Sequence, residues 1–487
     1  MRKIILLGIL INCLVHLNAQ TDLDALRYST TQNWSTARNI STGGIFGTIG
    51  GDMSCMSSNP AGLARFTSNE FTISPSFIFN NSSAHFFNNT ANDHKFNVGL
   101  AGFGAVISPS KLDGKGTFGF ALNKQANFNH SIFISGYNDK NSILDFYANT
   151  LQGQDITVAE NNYPFDASMA FLSELIAVDT PFGLNYSSII KKGNIEQQMT
   201  IDRKGGLDEL TFSGSGKINE KIYVGATFGL PLVNYSENYL YRENDINDST
   251  EFFNSFTQEN YLNTDGFGFN LKMGIMAIPQ QNIRLSVAFH TPTLLKLSDS
   301  YFNTLNSDFT TFTFSAESPE GAFDYKVVTP WKLLAGGAFI HPKFGFIGIE
   351  YELSNPSKAK FKFDDNDPNS KVLEANLNQN IAQKYDWSQT IKVGVESKLK
   401  NIRFRAGMQA QSTPFAENFK PNTIKNFNFI YSGGLGYKGK KFSIDAAYAH
   451  GKETANFIPY AKNDNATPVA IINNVNQNIT LSVGYKF

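Results

Sequence analysis

The sequence predicts an all-β protein: a 14-stranded antiparallel transmembrane β-barrel with an N-terminal hatch, or plug, inside its lumen. Three observations favour this fold. Apolar and polar residues alternate over segments of about ten residues, as in strands with two different faces. Short polar links between these segments alternate with long ones. Charged residues make up only 17% of the chain, Phe occurs 43 times, and no apolar run long enough for a membrane helix follows the first 20 residues.

The composition excludes several other classes of protein. A net charge of −1 over 487 residues removes the electrostatic case for binding nucleic acid. Two cysteines cannot build a disulfide framework. Intrinsic disorder is disfavoured because Phe and Ile are too frequent. The remaining classes are a large secreted β protein and an outer-membrane barrel.

The first element is a secretory signal peptide, predicted at residues 1–19. A short basic start precedes an apolar stretch of about twelve residues, and the segment ends on Ala19 before Gln20. This stretch is too short to span a bilayer as a helix. Cys13 suggests a lipoprotein, but it lies inside the apolar stretch. Cleavage before Gln20 leaves Cys55 as the only cysteine, so we expect an exported protein without an internal disulfide.

The barrel is predicted over residues 70–487. Alternation is clearest in the last segment, where Leu481 and Val483 share one face and Thr480 and Ser482 share the other. An even number of strands starts and ends on the same side of the membrane, and closure satisfies every backbone group in lipid. The fourteen predicted strands are 70–80, 94–107, 115–127, 208–217, 220–234, 264–278, 282–297, 322–340, 343–363, 387–399, 401–411, 425–437, 440–452 and 475–487.

The links between strands define the two sides of the membrane. Short and long links alternate, as expected when every second connection faces the periplasm. The longest is a predicted extracellular link at 128–207, which has room for helices or an extra hairpin. The chain ends on Phe487, which fits the terminal aromatic signal of outer-membrane barrels. We therefore predict that the barrel-assembly machinery recognises Phe487 and that the wall contacts outer-membrane lipid.

Residues 20–69 form the predicted hatch. They do not alternate, and glycine at this density lets the backbone turn tightly and approach neighbouring walls. A disordered tail is the alternative, but apolar side chains such as Ile49 and Leu63 gain from burial. The residues that define the hatch are Gly43, Gly44, Phe46, Gly47, Gly50, Gly51, Asp52, Asn59, Pro60 and Ala61.

Several hatch segments resemble a known family, the FadL/TodX outer-membrane transporters of hydrocarbons and long-chain fatty acids. The resemblance continues through residues 288–293 and 329–331 to the final strand, and so covers essentially the whole mature chain. The Asn-Pro-Ala-Gly-Leu run is moderately specific by itself and stronger when combined with the strand count. The segments that resemble the family's hatch are Thr36-Ala37-Arg38, Gly43-Gly44, Asp52 and Asn59-Pro60-Ala61-Gly62-Leu63.

The resemblance implies a function. Members of the family are plugged 14-stranded barrels of the cell outer membrane, and we expect a monomer. The resemblance implies that outer loops capture a hydrophobic ligand, that the hatch rearranges, and that the ligand leaves laterally through a gap in the wall near the third strand. An apolar solute gains roughly 25 cal/mol per Å² on leaving water, so an apolar path suits it better than a water-filled pore.

Apolar residues in the long link and in the hatch are the first candidate ligand contacts. Those in the link have helical spacing and form either the packed core of a loop cap or a ligand-catching groove. Those in the hatch either line an inner ligand site or pack against the wall. The link candidates are Phe165, Met169, Phe171 and Leu172, and the hatch candidates are Phe46, Met53 and Met56.

Charged residues on the polar faces of the strands are the second group. Because buried charges need partners, they predict an ion-pair network that ties the hatch to the wall. The alternative is that one basic residue meets a fatty carboxylate, for which Arg403 and Arg405 are candidates. The group comprises Arg284, Glu350, Glu352, Lys392, Glu396, Arg403, Arg405 and Asp445.

Signals for an enzyme are weak. Gly434-x-Gly436-x-x-Gly439 lies between alternating strands rather than before a helix, so it is a turn. No Gly-x-Ser-x-Gly elbow occurs, and the histidines lack metal-ligand spacing. We therefore predict a channel for hydrophobic compounds with no catalytic residues, metal or cofactor. Three alternatives stay open: a barrel of the same fold that binds or helps to assemble secreted proteins, a general porin, and a barrel-embedded phospholipase or protease.

Overall fold

The computed structural model describes residues 20–109, 116–178, 180, 183–191, 193–363, 368–460 and 467–487. The predicted signal peptide at 1–19 lies outside the described residues. Within the described part of the chain, 19 strands form one continuous sheet and two further strands form a small separate sheet.

The strands of both sheets have the following bounds in chain order: β1 Glu70–Phe86, β2 Asn89–Ile107, β3 Thr117–Asn127, β4 His130–Asn138, β5 Ile176–Val178, β6 Tyr186–Ser188, β7 Ile195–Asn219, β8 Ile222–Asn244, β9 Phe253–Gln280, β10 Ile283–His290, β11 Leu294–Phe309, β12 Thr313–Glu317, β13 Gly321–Val328, β14 Lys332–His341, β15 Gly345–Ser354, β16 Lys360–Phe363, β17 Ser388–Leu399, β18 Ile402–Ser412, β19 Phe427–Lys438, β20 Phe442–Phe457 and β21 Ala470–Lys486.

The large sheet is a closed antiparallel barrel. β5 and β6 pair only with each other, while β1 pairs with both β2 and β21. In four places consecutive strands share one position in the wall, namely β3 with β4, β10 with β11, β12 to β14, and β15 with β16. The wall therefore has 14 strands, which confirms the predicted number. Because closure pairs the first strand with the last, neither strand exposes an unpaired edge to lipid.

Alternation along each strand separates a lipid face from a lumen face. In β21, Leu481 and Val483 are exposed, whereas Thr480 and Ser482 are buried. In a soluble protein the apolar set would be buried and the polar set exposed. The reversed pattern is that of a barrel whose outside contacts lipid and whose inside is filled.

Proline lies in four of the five interruptions in the wall. Pro292 lies between β10 and β11, Pro319 between β12 and β13, Pro330 between β13 and β14, and Pro356 between β15 and β16. Proline has no backbone N–H and cannot donate to the ladder. The seventh, eighth and ninth predicted strands are therefore interrupted rather than continuous. The remaining interruption, at Phe128-Asn129 between β3 and β4, has no proline and is described below.

The long link predicted at 128–207 is shorter in the structure. β4 continues the third wall strand to Asn138 and β7 begins at Ile195, so the connection spans 139–194. The strands of the wall are much longer here than the roughly 9–11 residues that a strand needs to cross a bilayer. Above the lipid the outer face needs no apolar side chains, and polar residues there, such as Glu196 and Gln198, remove the alternation that would identify the strand in the sequence.

Short helical segments fill the lumen and cover its outer end. The first helix of the hatch contacts the outer link before β17, because Asp22 and Lys384 form an ion pair at 3.0 Å. None of the described helices is long and apolar enough to cross a membrane. The α-helices are α1 Asp22–Ser29, α2 Ala37–Ser41, α3 Phe46–Ile49, α4 Ile143–Leu151, α5 Ile156–Asn162, α6 Ala167–Leu172 and α7 Pro368–Lys384, and the 3₁₀ helices are Met53–Ser57, Pro60–Arg65 and Pro356–Lys358.

Candidate functional site

The hatch rests on glycines of the wall. The backbone of Thr42 and Gly43 lies directly on Gly394 in β17 and Gly407 in β18, and a Cβ added to Gly407 would overlap the backbone nitrogen of Gly43. Gly43 has a φ of +66°, a conformation that favours glycine. Because this contact is backbone to backbone, a side chain on Gly407 would displace the hatch or the wall.

The Asn59-Pro60-Ala61 motif fixes another side of the hatch. Asn59 Oδ1 accepts a hydrogen bond from the Ala61 N–H at 3.1 Å, and Asn59 Nδ2 donates to the Ile275 carbonyl of β9 at 3.3 Å. A Cβ added to Gly225 of β8 would lie 2.5 Å from the carbonyl carbon of Pro60. The motif therefore caps the last 3₁₀ helix of the hatch and anchors it to two wall strands.

The other predicted hatch residues shape the turns between these anchors. Asp52 accepts hydrogen bonds from the Ser54 N–H and the Thr36 hydroxyl, both at 2.9 Å. Gly47 approaches the wall so closely that an added Cβ would lie 2.7 Å from Glu350 Oε2. Positive φ angles are adopted by Gly44, Gly50 and Gly51.

The charged residues on the lumen face form an ion-pair network, from which Arg284 is absent among the described ion pairs. Of the contacts that join this network to the hatch, Arg38 lies 3.9 Å from Glu396, and the Thr48 hydroxyl donates to Glu350 at 3.2 Å. Arg403 and Arg405 belong to this network and do not line the central cavity described below. The wall pairs are Lys392–Glu350 at 3.3 Å, Lys392–Glu352 at 2.8 Å, Arg403–Glu396 at 3.8 Å, and Arg405 with both Glu396 and Asp445 at 2.7 Å.

The three apolar hatch candidates are buried in contacts between hatch and wall. The Phe46 ring meets Phe346 edge-on at 5.8 Å between centroids. Met53 and Met56 pack in a cluster that includes Val106 of β2. None of the three lines either of the two lumen cavities described below, one in the centre and one beside the wall. A role for them as ligand contacts stays a prediction, and it requires the hatch to move.

The apolar candidates of the long link lie in a cap over the outer end of the barrel. Met169 is in the buried core of this cap, and Phe171 packs against Tyr186 at 5.9 Å between ring centroids. Phe165 contacts Tyr301 of β11 at 5.1 Å. Leu172 is 51% exposed. Most of this stretch therefore contributes packing within the cap, and a groove formed around Leu172 stays a prediction.

Glu243 anchors the cap to the wall. Its carboxylate accepts hydrogen bonds from the Ile143 N–H at 3.0 Å, the Gln197 amide at 2.9 Å, and the hydroxyls of Ser142 and Tyr241. Glu243 lies near the outer end of β8, whose 23 residues far exceed the length needed to cross the lipid. Burial raises the pKa of Glu243 to about 7 despite these four donors.

We expect the cap to be held more firmly at about pH 5 than at about pH 9. A carboxyl whose pKa is raised on folding contributes stability that is present at low pH and lost as the pH rises through 7. Limited proteolysis of the folded barrel should therefore cut residues 139–194 faster at the higher pH. Glu243→Gln, which cannot ionise, should remove this difference between the two pH values; an unchanged difference would contradict the assignment to Glu243.

A cavity of about 280 Å³ lies in the lumen between α1 and the rest of the hatch. Leu26, Trp34 and Leu295 give it apolar surface, while Lys272 and Lys332 lie among many hydroxyl and amide groups. Both lysines have carboxylate partners, because Lys272 pairs with Glu209 and Lys332 with Glu352. The cavity therefore offers both apolar contacts and hydrogen bonds without a large net charge.

The wall has a break beside this cavity. The ladder between β2 and β3 runs only from Gly102↔Asn123 to Ile107↔Phe118, and in the described residues no ladder joins the rest of β2 to β4. Ala101 has no partner on β1 either, because the register shifts there. The break thus begins about six residues above the inner end of β2, at a height that lies within the lipid.

β4 bends inward at this break. Its carbonyl groups accept hydrogen bonds from inward-facing side chains of the neighbouring hairpin rather than from a ladder: Ser82 Oγ donates to Ser131 at 2.9 Å and Asn89 Nδ2 to Ser135 at 3.0 Å. Strand β4 therefore lies across the inner face of the hairpin formed by β1 and β2. Above Ala101, the edge of β2 on this side therefore has no backbone ladder to another strand in the described residues.

A second cavity, of about 340 Å³, lies immediately inside the break, where Ala101, Phe128 and Asn129 line it. The central cavity and this cavity share part of their lining, so they are adjacent. The shared residues are Thr30, Gln32, Trp34, Gln125, Glu453 and Asn476.

A hatch segment lies at the junction of the two cavities. The Gln32 N–H donates to the Gln125 carbonyl at 2.7 Å, and the Trp34 N–H donates to the Lys124 carbonyl at 3.3 Å. These bonds attach the hatch to the end of β3, just before the bend. Sequence reasoning did not find these residues, because none of them belongs to a motif and the contact joins segments far apart in the chain.

The site thus defines a class of protein: a plugged β-barrel with an inner cavity beside an opening in its wall. No family model and no curated protein matches the chain. Solved structures do match. A Pseudomonas aeruginosa FadL homologue has a TM-score of 0.56 and 12% identity, with 93% of this chain and 98% of that chain covered.

Two other matching structures are described as a toluene transporter and a hydrocarbon channel. The Pseudomonas putida toluene transporter TodX has a TM-score of 0.53 and 13% identity over 94% of this chain and 100% of its own. The monoaromatic hydrocarbon channel CymD has a TM-score of 0.51 and 13% identity, covering 93% and 97%. The chain therefore has the fold of the FadL/TodX-type barrels, a multi-pass outer-membrane β-barrel, as the hatch motifs predicted.

Proposed function

We propose that this protein is a passive outer-membrane transporter of hydrophobic compounds such as long-chain fatty acids. A compound is captured at the outer loops, enters the central cavity and leaves laterally through the break beside β2. The observation that carries the proposal is the adjacency of the central cavity to the cavity inside the break. A lateral exit suits an apolar compound because it passes from protein to lipid without crossing water.

Movement of the hatch is part of the proposal. The segment Gln32–Trp34 separates the two cavities and is attached to β3 by the two backbone hydrogen bonds given above. Breaking them costs only about 1 kcal/mol each where water or another partner replaces them. A small displacement of this segment, without ejection of the whole hatch, would connect the cavities. The wall glycines under the rest of the hatch keep it in place.

The mixed lining of the central cavity suits a ligand that has an apolar body and a hydrogen-bonding group. The same lining favours one other candidate, a general porin for polar solutes, because hydroxyl and amide side chains dominate parts of it. The two candidates differ in what passes. Cells with a transporter of hydrophobic compounds take up labelled oleate, and liposomes that contain the purified transporter stay impermeable to sugars. A porin instead admits sugars and makes such liposomes swell.

We test the proposed function by comparing these two measurements on the purified, folded protein and on cells that express it. Uptake of oleate well above that of cells lacking the protein, together with no swelling in sugars, is expected. Swelling without oleate uptake would favour the porin. Mass spectrometry of an organic extract of the purified protein, made in more than one detergent, then identifies the class of bound compound.

We propose that Phe487 directs assembly of the barrel into the outer membrane, and that the barrel is a monomer. The Phe487 N–H donates to the Asn69 carbonyl at 3.2 Å, and its ring stacks near Tyr485 at 6.2 Å between centroids, exposed at the inner rim. We expect deletion of Phe487 to lower the amount of heat-modifiable, folded barrel about ten-fold, since the exposed ring is then lost as a recognition element. Phe487→Tyr is the matched control, and normal barrel levels after deletion would contradict the proposal.

A further inference from the structure

The periplasmic mouth of the barrel contains a third cavity, of about 330 Å³, between the underside of the hatch and the short turns of the wall. It is separate from the proposed route of hydrophobic compounds. Eight of the described lining residues are arginine or lysine and four are aspartate or glutamate. The arginines and lysines are Arg38, Arg65, Arg284, Lys398, Arg403, Arg405, Lys438 and Lys486, and the acidic residues are Asp52, Glu70, Glu396 and Asp445.

The four carboxylates of this cavity already have partners. Glu396 and Asp445 both bind Arg405 at 2.7 Å, and Glu70 lies 4.0 Å from Lys486. Asp52 accepts two hydrogen bonds within the hatch, as described above. The excess of positive charge in the cavity is therefore not neutralised by the described residues.

Arg65 and Arg284 are two cations of this cavity without an anionic partner among the described residues. Neither forms an ion pair with a described carboxylate, and the Nε atoms of both are buried without a hydrogen-bond partner. Each guanidinium is nevertheless held in place at its other end. Arg65 Nη1 donates to the Tyr223 hydroxyl at 3.0 Å, and Arg284 Nη1 donates to the Ile49 carbonyl.

We propose that Arg65 and Arg284 form a binding site for an oxoanion, a phosphate or carboxylate group. A guanidinium presents parallel N–H donors that match two oxygens of such a group, and both guanidiniums line the cavity without a carboxylate partner among the described residues. Unpaired buried charges of like sign are costly, and an anion between them removes this cost. The geometry thus provides both the donors and the electrostatic reason for binding.

The position of the site gives it a structural consequence. Arg65 ends the last 3₁₀ helix of the hatch, whereas Arg284 is near the start of β10 in the wall. A bound oxoanion bridges the two and holds the underside of the hatch against the barrel. The group can come from a free anion of the periplasm or from the headgroup of a lipid, and the chemistry of recognition is the same.

The test is a titration of the folded, full-length protein in a phosphate-free detergent, at constant ionic strength. Inorganic phosphate is followed by its phosphorus NMR line width, and a short-chain phosphatidate is titrated separately. We expect saturable binding of at least one probe, and about ten-fold weaker binding in Arg284→Gln because a charge-assisted pair of hydrogen bonds is lost. Binding of phosphate alone identifies a free anion as the source, and binding of phosphatidate alone identifies a lipid headgroup.

Arg242→Gln is the matched control, because Arg242 is an exposed arginine at the opposite end of the barrel. It should bind like the unaltered protein. Arg65→Gln removes the hatch side of the site and should weaken binding as Arg284→Gln does. It replaces Arg284→Gln in the test if that variant does not fold into a heat-modifiable barrel. Absence of saturable binding of both probes to the unaltered protein, or equal binding by the folded variants, would overturn the proposal.

Discussion

Replacing Ala101 with tryptophan is expected to lower uptake of hydrophobic compounds about ten-fold or more, because the ring fills space that the route requires. Ala101 is 1% exposed, lines the cavity inside the break and lies where the ladder between β2 and β3 ends. The measurement is uptake of labelled oleate by cells that contain equal amounts of heat-modifiable barrel.

The matched control for this variant is Val98→Trp. Val98 is on the same strand but is 57% exposed on the outer face, where lipid accommodates the larger ring. Ile78→Trp narrows the same cavity from β1 and should reduce uptake as Ala101→Trp does. Normal uptake by both cavity variants, with the barrel folded, would mean that hydrophobic compounds do not leave by this opening.

Replacing Gly407 with valine is expected to displace the hatch and make the outer membrane permeable to polar molecules that the unaltered barrel excludes. A Cβ at this position would overlap the backbone of Thr42 and Gly43, which cannot move aside as a flexible side chain would. We expect about ten-fold faster entry of a polar dye, since the hatch contact that is lost seals the lumen. The barrel itself should remain folded, because the nearest atoms to the added group all belong to the hatch.

Gly433→Val provides the control for the hatch. Gly433 lies on the neighbouring strand β19, and the atom nearest to an added Cβ is 3.7 Å away on the wall. Its permeability should equal that of the unaltered barrel. If Gly407→Val stays as impermeable as Gly433→Val while both fold, the hatch does not depend on this glycine contact.

The sequence predicts the wall well because lipid imposes a simple rule on it. Every outward residue within the bilayer must be apolar, so β21 can be recognised by alternation alone. Above the lipid this rule no longer holds, and for that reason the continuation into β4 and the start of β7 at Ile195 are not visible in the sequence. Breaks at Pro292, Pro330 and Pro356 are predictable in principle, because proline cannot complete a ladder.

The candidate site is harder to predict than the wall. The hatch motifs are recognisable because residues that are close in sequence set their backbone conformation. Asn59-Pro60-Ala61 is one of them, and its conformation places it against β8 and β9. The opening depends instead on the bend at Phe128-Asn129 and on contacts between Gln32 and Gln125, which no local pattern records. Phe46 and Met53 look like ligand contacts in the sequence, but closed packing of the hatch buries them.

The exit route is the central claim, and photoaffinity labelling tests it most directly. The folded protein in lipid vesicles is exposed to a long-chain fatty acid that carries a photoactivatable group near its apolar end, and labelled peptides are mapped by mass spectrometry. We predict labels in the two peptides that border the break, around Ala101 and around Gln125 to Asn129, which disappear in competition with unlabelled oleate. Competed labels confined to the periplasmic mouth below the hatch would contradict a lateral exit.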